Sequence, residues 1–277
     1  MESELKLIQP YFVIQTSGFY QEVYQKHGIS HFYTFQLENS KAEVMTVPDG
    51  CVDVIFTYGE GGMDADICGT VLCQKSLFMR SKKEYFGIRF LPGVMPAGLG
   101  VQMKELVERQ IDMRELPQTG ELIMRMEEQT TFEQRISTFL SEYAKAYGRQ
   151  MKKMAVKQIL DTINQVIYKT NGKIKIKELE EYTGYTARYL NKVFTAEMGV
   201  SPKTFCKIIQ FQKTLDYLNQ AKEIRLTDVA LDFGYYDQAQ LVHDFKQFTS
   251  ATPREYKRLL VEKEYQKHIV ETEYLMK

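Results

Sequence analysis

The chain has 277 residues, 44% of them hydrophobic and 26% charged, with a formal net charge of zero; this is ordinary globular composition in a chain longer than the usual single domain. The zero hides an asymmetry, since residues 1–150 hold 15 lysines and arginines against 20 acidic residues while residues 151–260 hold 18 against 12, a basic excess suited to phosphates. No run reaches the about 18 apolar residues that span a bilayer, the opening MESELKLIQPYF lacks a basic-then-apolar leader pattern, and four cysteines in so long a chain form no disulfide framework, so a cytoplasmic protein with no membrane partner is expected.

Up to about Gly98 the pattern is strand-like. HFYTFQL at 31–37, CVDVIF at 51–56 and YFGIRF at 85–90 are aromatic or β-branched runs bounded by PDG, GEGG and LPG turns. Helical spacing then takes over in Leu99 to Gln110 and in Thr131 to Tyr147, the latter with Phe132, Ile136, Phe139, Leu140, Tyr143 and Tyr147 on one stripe. Short strands followed by helices predict an α+β protein whose N-terminal half is a β-sandwich or jelly-roll-like barrel closed by a helical layer. A polar joint, GRQMKK at 148–153, leads into an all-α half.

There Met154 to Thr170 reads as a helix stopped by Asn171-Gly172, a dipeptide suited to a left-handed turn. The caps set out seven helices in this half. Thr186 and Asp237 stand as N-caps, and Ser201-Pro202 and Thr252-Pro253 place a cap before a proline at the first helical position. Ile176 to Phe205 and Leu226 to Tyr256 each read as helix, sharp turn, helix and Pro-started helix. Thr186 and Asp237, Leu190 and Leu241, Phe194 and Phe245, Pro202 and Pro253, and Phe205 and Tyr256 are all separated by 51 positions. The chain thus contains one helix-turn-helix twice, joined by a long helix from Pro202 to about Asn219 whose buried face is Phe205, Ile208, Ile209, Phe211, Leu215 and Leu218.

Leu190 and Phe194, and Leu241 and Phe245, face the core at i,i+4 spacing, which turns other positions outward. These are Ala187, Arg188, Asn191 and Lys192 in the first unit, and Gln238, Ala239, Val242, His243 and Lys246 in the second. Arginine pairs with guanine, Asn or Gln with adenine, and Ala or Val meets a thymine methyl, so double-stranded DNA is the expected partner. A lone helix with such a face would be read as merely solvated; repetition at one period, with matching caps and turns, favours groove reading.

Residues of about 154–258 resemble the double helix-turn-helix DNA-binding domain of the AraC/XylS family of bacterial transcription regulators. The resemblance rests on Leu179, Gly184, Tyr189-Leu190, Phe194 and Gly199-Val-Ser-Pro-Lys in the first unit. In the second it rests on Val229-Ala230, Phe233-Gly234-Tyr235, Asp237-Gln238, Leu241, Asp244-Phe245-Lys246, Phe248 and Thr252-Pro253-Arg254-Glu255-Tyr256. By position it implies base reading by Arg188, Asn191 and Lys192, and by Gln238, Ala239, Val242 and His243. Two departures stand out: Glu180 replaces a small residue, which predicts looser packing of the first unit, and Ser250-Ala251 replaces Gly-Val or Gly-Leu. The first unit is therefore expected to supply most base discrimination and the second to anchor the protein.

In residues 1–150, PDGCVDVIF at 48–56 and FGIRFLPG at 86–93 followed by LGVQMKELVER are similar to the cupin-type sensor half of some family members. This implies a domain that binds a small-molecule effector or dimerises, then a DNA-binding domain at 151–262 and a C-terminal extension at 263–277; RNA polymerase is a further partner of such regulators. Candidate effector residues are Phe35, Asp53, Phe56, Phe86, Arg89 and Phe90, with core filling, or outward exposure of the two charges, as the alternatives. The stripe from Phe132 to Tyr147 either covers the sheet or forms a homodimer contact, the reading preferred here. A cysteine-based redox or alkylation sensor through Cys51, Cys68 and Cys73 is an alternative, with buried small hydrophobes as the plainer reading. His27 and His31 have ligand spacing but Gly28 and Ser30 interrupt any helix there. The His-x-His of metal-dependent cupin enzymes is absent, as are Walker, dinucleotide, nucleophile-elbow and HExxH motifs, so no catalytic residue, metal or cofactor is expected.

Overall fold

A computed structural model describes residues 8–37, 42–79, 83–150, 154–221 and 223–273. Helix α1 (Pro10–Gln15) precedes seven strands, β1 (Ser17–Val23), β2 (Ile29–Gln36), β3 (Ala42–Thr46), β4 (Asp53–Gly59), β5 (Gly62–Cys68), β6 (Lys75–Met79) and β7 (Glu84–Phe90). Then come α2 (Met103–Leu106), β8 (Gln110–Asp112), α3 (Gly120–Glu127) and α4 (Phe132–Gln150). The expected helix from Leu99 to Gln110 shrinks to the single turn of α2, because Gly98, Gly100 and Glu108 all adopt positive φ and Gln110 pairs with Cys68 in the sheet.

The expected barrel does not close. The main sheet runs β8-β5-β4-β7-β2-β1-β9, with β9 (Val270–Glu273) at one edge, and among the described residues β3 and β6 form a separate two-stranded sheet. Alternation along the strands feeds two cores. Phe32, Phe56, Phe86 and Phe90 pack with Ile136, Phe139 and Tyr143 of α4. On the other face Tyr33, Phe35, Ile55 and Tyr85 pack with Val44 and Met79 of the small sheet and with Tyr11 and Phe12 of α1. The predicted stripe on α4 is thus a cover for the sheet: Ile136, Phe139 and Tyr143 are buried, and Phe132, Leu140 and Tyr147 half-buried. This burial favours the covering alternative for Ile136, Phe139 and Tyr143 and leaves only the half-buried Phe132, Leu140 and Tyr147 to a homodimer contact.

The joint at 148–153 falls partly outside the described residues. Beyond it lie seven helices, α5 (Met154–Lys169), α6 (Ile176–Thr183), α7 (Ala187–Met198), α8 (Pro202–Gln220), α9 (Leu226–Asp232), α10 (Gln238–Thr249) and α11 (Pro253–Glu262). The extension contributes α12 (Tyr265–His268) and β9, which pairs parallel with β1; residues 274–277 lie outside the described residues. Residues 270–273 thus return to the edge of the N-terminal sheet.

The two halves share apolar contacts. Phe211, Leu215 and Leu218 of α8 and Phe245, Phe248 and Tyr256 of the second unit belong to the same cluster as α1 and the sheet. The first unit has its own cluster around Leu179, Leu190, Phe194 and Phe205, against which Leu72 and Val107 of the N-terminal half also pack. Helix α8 is buried around most of its circumference, including Gln210, Gln212, Lys213 and Thr214. Its polar side chains therefore need partners. Gln210 donates to the Phe233 carbonyl, Thr214 meets the Tyr235 hydroxyl, and Gln212 donates to the Pro48 carbonyl at 2.8 Å while accepting the Ile8 N–H at 2.9 Å.

Candidate DNA interface and effector cavity

Helices α7 and α10 are the second helices of the two units, each of 12 residues and displaced by the same 51 positions in sequence. Each begins where a side chain satisfies a free N–H: Thr186 accepts from Tyr189, and Asp237 accepts from Gln240 at 2.7 Å. Glu180, expected to loosen the first unit, instead reaches from α6 to accept the Ala187 N–H at the positive end of α7. The acidic residue thus becomes a second cap, and Leu179, Leu190 and Phe194 are fully buried beneath it.

The expected reading positions are mostly open to solvent. Arg188, Asn191 and Lys192 are exposed on α7; Gln238, Ala239, His243 and Lys246 are exposed on α10, where they line one shallow surface with Val242 and Gln247. Ala187 and Val242 are half-buried, the first beneath Glu180 and the second against the cluster of Leu226, Val229 and Leu241. Sequence reasoning missed Gln247, whose exposure follows from its place beyond Lys246 on the same face. It also missed Tyr185 and Tyr236, which stand 51 positions apart immediately before the two caps.

In the N-terminal half the six proposed effector residues divide by strand parity. All four phenylalanines are core rather than lining: Phe35 packs against Phe12 of α1 and Tyr85 on the face turned to the small sheet, whereas Phe56, Phe86 and Phe90 fill the core under α4 on the opposite face. Asp53 and Arg89 are register partners across β4 and β7 and face the other way, into a cavity of about 220 Å³ between the two sheets. Neither is turned to solvent: both are buried. A second cavity of about 270 Å³ shares Ile55, Cys68, Leu77 and Gln110 with the first.

Arg89 holds Asp53 through Nε at 3.0 Å and Nη2 at 2.8 Å, and reaches Asp49 through Nη1 at 3.1 Å. The Tyr33 hydroxyl donates to Asp53. Burial raises the Asp53 carboxyl above its ordinary range, partly offset by Arg89, while the two carboxylates hold Arg89 firmly protonated. From Asp49 the network continues to the Gln9 amide at 2.7 Å, and Gln9 adjoins Ile8, whose N–H is bound by Gln212 of α8. Burial pushes the thiols of Cys51 and Cys68 up, and that of Cys206 to about 12, the reverse of what a thiolate sensor requires. His27 and His31 do not converge: their Nδ1 atoms meet Tyr24 and Ser30 respectively.

Two capped units on one central helix, with equivalent faces open to solvent, define a double helix-turn-helix protein. Residues 179–259 match a helix-turn-helix domain family, and residues 26–112 match a domain of unknown function. HTH-type transcriptional regulators of Staphylococcus aureus strains MSSA476 and N315 are 32% identical over 84 residues, which is 30% of this chain and 11% of theirs. Among solved structures, ToxT from Vibrio cholerae is 11% identical, with a TM-score of 0.44 over 82% of this chain and 98% of its own. The C-terminal domain of AraT, a response regulator from Geobacillus stearothermophilus, is 21% identical, with a TM-score of 0.35 over 36% of this chain and 84% of its own. Residues 179–259 thus carry a helix-turn-helix domain, in keeping with the AraC/XylS resemblance of residues 154–258. The chain spans only about a tenth of the length of the Staphylococcus aureus relatives, and no described helix is long and apolar enough to cross a membrane.

Proposed function

We propose that this protein is a sequence-specific transcription regulator that reads two adjacent major grooves with α7 and α10 and answers to a small effector held between its two sheets. The observation that carries the reading is the pair of equivalent, capped helices whose polar faces are open at Arg188, Asn191 and Lys192 and at Gln238, His243 and Lys246. Arg188, Asn191 and Lys192 offer guanine- and adenine-specific donors, whereas α10 combines Gln238 with Ala239 and cationic Lys246. On this basis the first unit discriminates bases and the second anchors.

The cavity supports the effector part of the reading. Asp53 and Arg89 occupy its floor, and the route from Asp49 through Gln9 and Ile8 reaches Gln212 on the helix that joins the two units. An effector that binds one arrangement of this network better than another shifts the population toward it, and with it the arrangement or availability of the two units, by no more than that differential affinity.

Selection of random duplexes by the full chain tests the DNA reading. The recovered site is expected to be asymmetric and to span two adjacent major grooves, about 34 Å apart along one face. Arg188→Ala is expected to cost about 1–3 kcal/mol and to relax one base position. A palindromic site read in a single groove would contradict the two-head arrangement, and a uniform loss over all sequences would make Arg188 a phosphate contact.

A further inference from the structure

Each unit carries an exposed tyrosine directly before the cap of its recognition helix. Tyr185 precedes Thr186 and is 42% exposed; Tyr236 precedes Asp237 and is 93% exposed. Among the described residues, neither phenol hydroxyl bonds to the protein. Both positions are buttressed by the residue four places on, by different means. In the first unit the Tyr185 ring stacks on Tyr189, with centroids 5.0 Å apart and planes at 28°. In the second the Tyr236 N–H donates to the Gln240 side chain at 2.6 Å. Tyr189 and Gln240 are themselves related by the 51-residue period, and each gives its own N–H to the cap of its helix. Two different sequences thus fix the same thing, a phenol projecting from the leading end of a recognition helix.

We propose that Tyr185 and Tyr236 are paired DNA-backbone contacts, each donating its hydroxyl to one phosphate at the wall of the groove that its helix enters. A helix that enters the major groove reads bases with its first turn, so the residue just before the cap lies at the groove's edge, where the phosphates run. Side-chain hydroxyls that donate to phosphates fix register without carrying sequence information. The adjacent helix N-terminus adds favourable dipole, and the Asp237 carboxylate, engaged with the Gln240 N–H, is directed into its own helix. Equivalent contacts at both heads would hold the two recognition helices at one depth in the two grooves.

The proposal rests on the DNA-binding reading, and its test separates the two. A duplex selected by the full chain is resynthesised with single methylphosphonates at successive positions, each removing one phosphate charge and acceptor. Wild-type protein is expected to lose affinity at one phosphate near each groove. Tyr185→Phe and Tyr236→Phe keep ring and fold, and each is expected to weaken binding to the unmodified duplex about 3- to 10-fold, the worth of one hydrogen bond. Each variant should also become insensitive to methylphosphonate at one position, the two positions lying about one helical turn apart. Phe variants that bind like wild type, or that weaken yet still respond to every methylphosphonate, overturn the proposal. In that case, loss of binding by Arg188→Ala leaves the DNA-binding reading standing; failure of the wild type to select any duplex removes both.

Discussion

In the first unit Gly199 ends α7 at φ +71°, and a Cβ built there would lie 2.8 Å from the Lys104 Cα and 2.5 Å from the Val107 side chain. The corresponding residue of the second unit, Ser250, ends α10 at φ +58° in the open. The same motif therefore closes against α2 of the N-terminal half in one unit and against water in the other. The second unit is held elsewhere: Asp244 pairs with Lys207 of α8 at 3.2 Å, the Tyr256 hydroxyl donates to Asn219 at 2.6 Å, and the Tyr256 ring packs against Tyr11 of α1. A repeated sequence thus fixes the inside of each unit, while its seating depends on residues outside the repeat.

The largest expected effects test the two cores. Phe194→Ala and Phe245→Ala each remove a fully buried ring and should cost about 3–5 kcal/mol in denaturant unfolding. Only Phe245→Ala should also speed hydrogen exchange in α1, because its ring lies 5.5 Å from Tyr256, which touches Tyr11 at 5.8 Å. Equal exchange in both variants would mean that the second unit is not seated through α1. Next, Gly199→Ala combines left-handed strain with a backbone clash and should cost about 2–4 kcal/mol. Ser250→Gly should run the other way, stabilising by about 1 kcal/mol, because a glycine relieves the positive φ and the serine side chain is exposed. Thermal melts of the pair decide whether the two C-caps differ as described.

The smallest effect concerns pH. Thr252 donates its backbone N–H and hydroxyl to Glu255 in the capping box of α11, which holds that carboxyl below its ordinary range. A group depressed by folding contributes stability above its unfolded pKa, and that contribution is lost as pH falls through the folded value. Glu255→Gln should therefore flatten the acid side of the stability profile slightly. Identical acid profiles for the two proteins would show that the box is not formed.

The helical half was legible because its signals are local. Caps, prolines, left-handed glycines and the 51-residue period all lie within a few residues of the structure they specify, so α7, α8 and α10 begin at Ala187, Pro202 and Gln238 as expected. The outward face of α7 and α10 followed from i,i+4 spacing alone, with Val242 turned further inward by its neighbours in the second unit. Glu180 was misread because its partner, the Ala187 N–H, lies across the turn on the next helix. In the N-terminal half the charged residues Asp53 and Arg89 were noticeable, but which face of the strand they occupied was not. Parity gives two faces, and only the packing of α4 on one and the small sheet on the other says which encloses the cavity.

Sequence by itself determined the two helix-turn-helix units, their caps and their open polar faces, since each depends on hydrogen bonds and apolar spacing within about a dozen residues. Tertiary structure alone decided that the sheet stays open, that the last strand returns to its edge, and that α8 is buried nearly all round. Nothing local marks Gln212 for burial; its amide is satisfied by Ile8 and Pro48, more than 160 positions away in the chain. Buried polar groups require partners wherever the chain supplies them, and contacts at such separations leave no periodic trace in sequence.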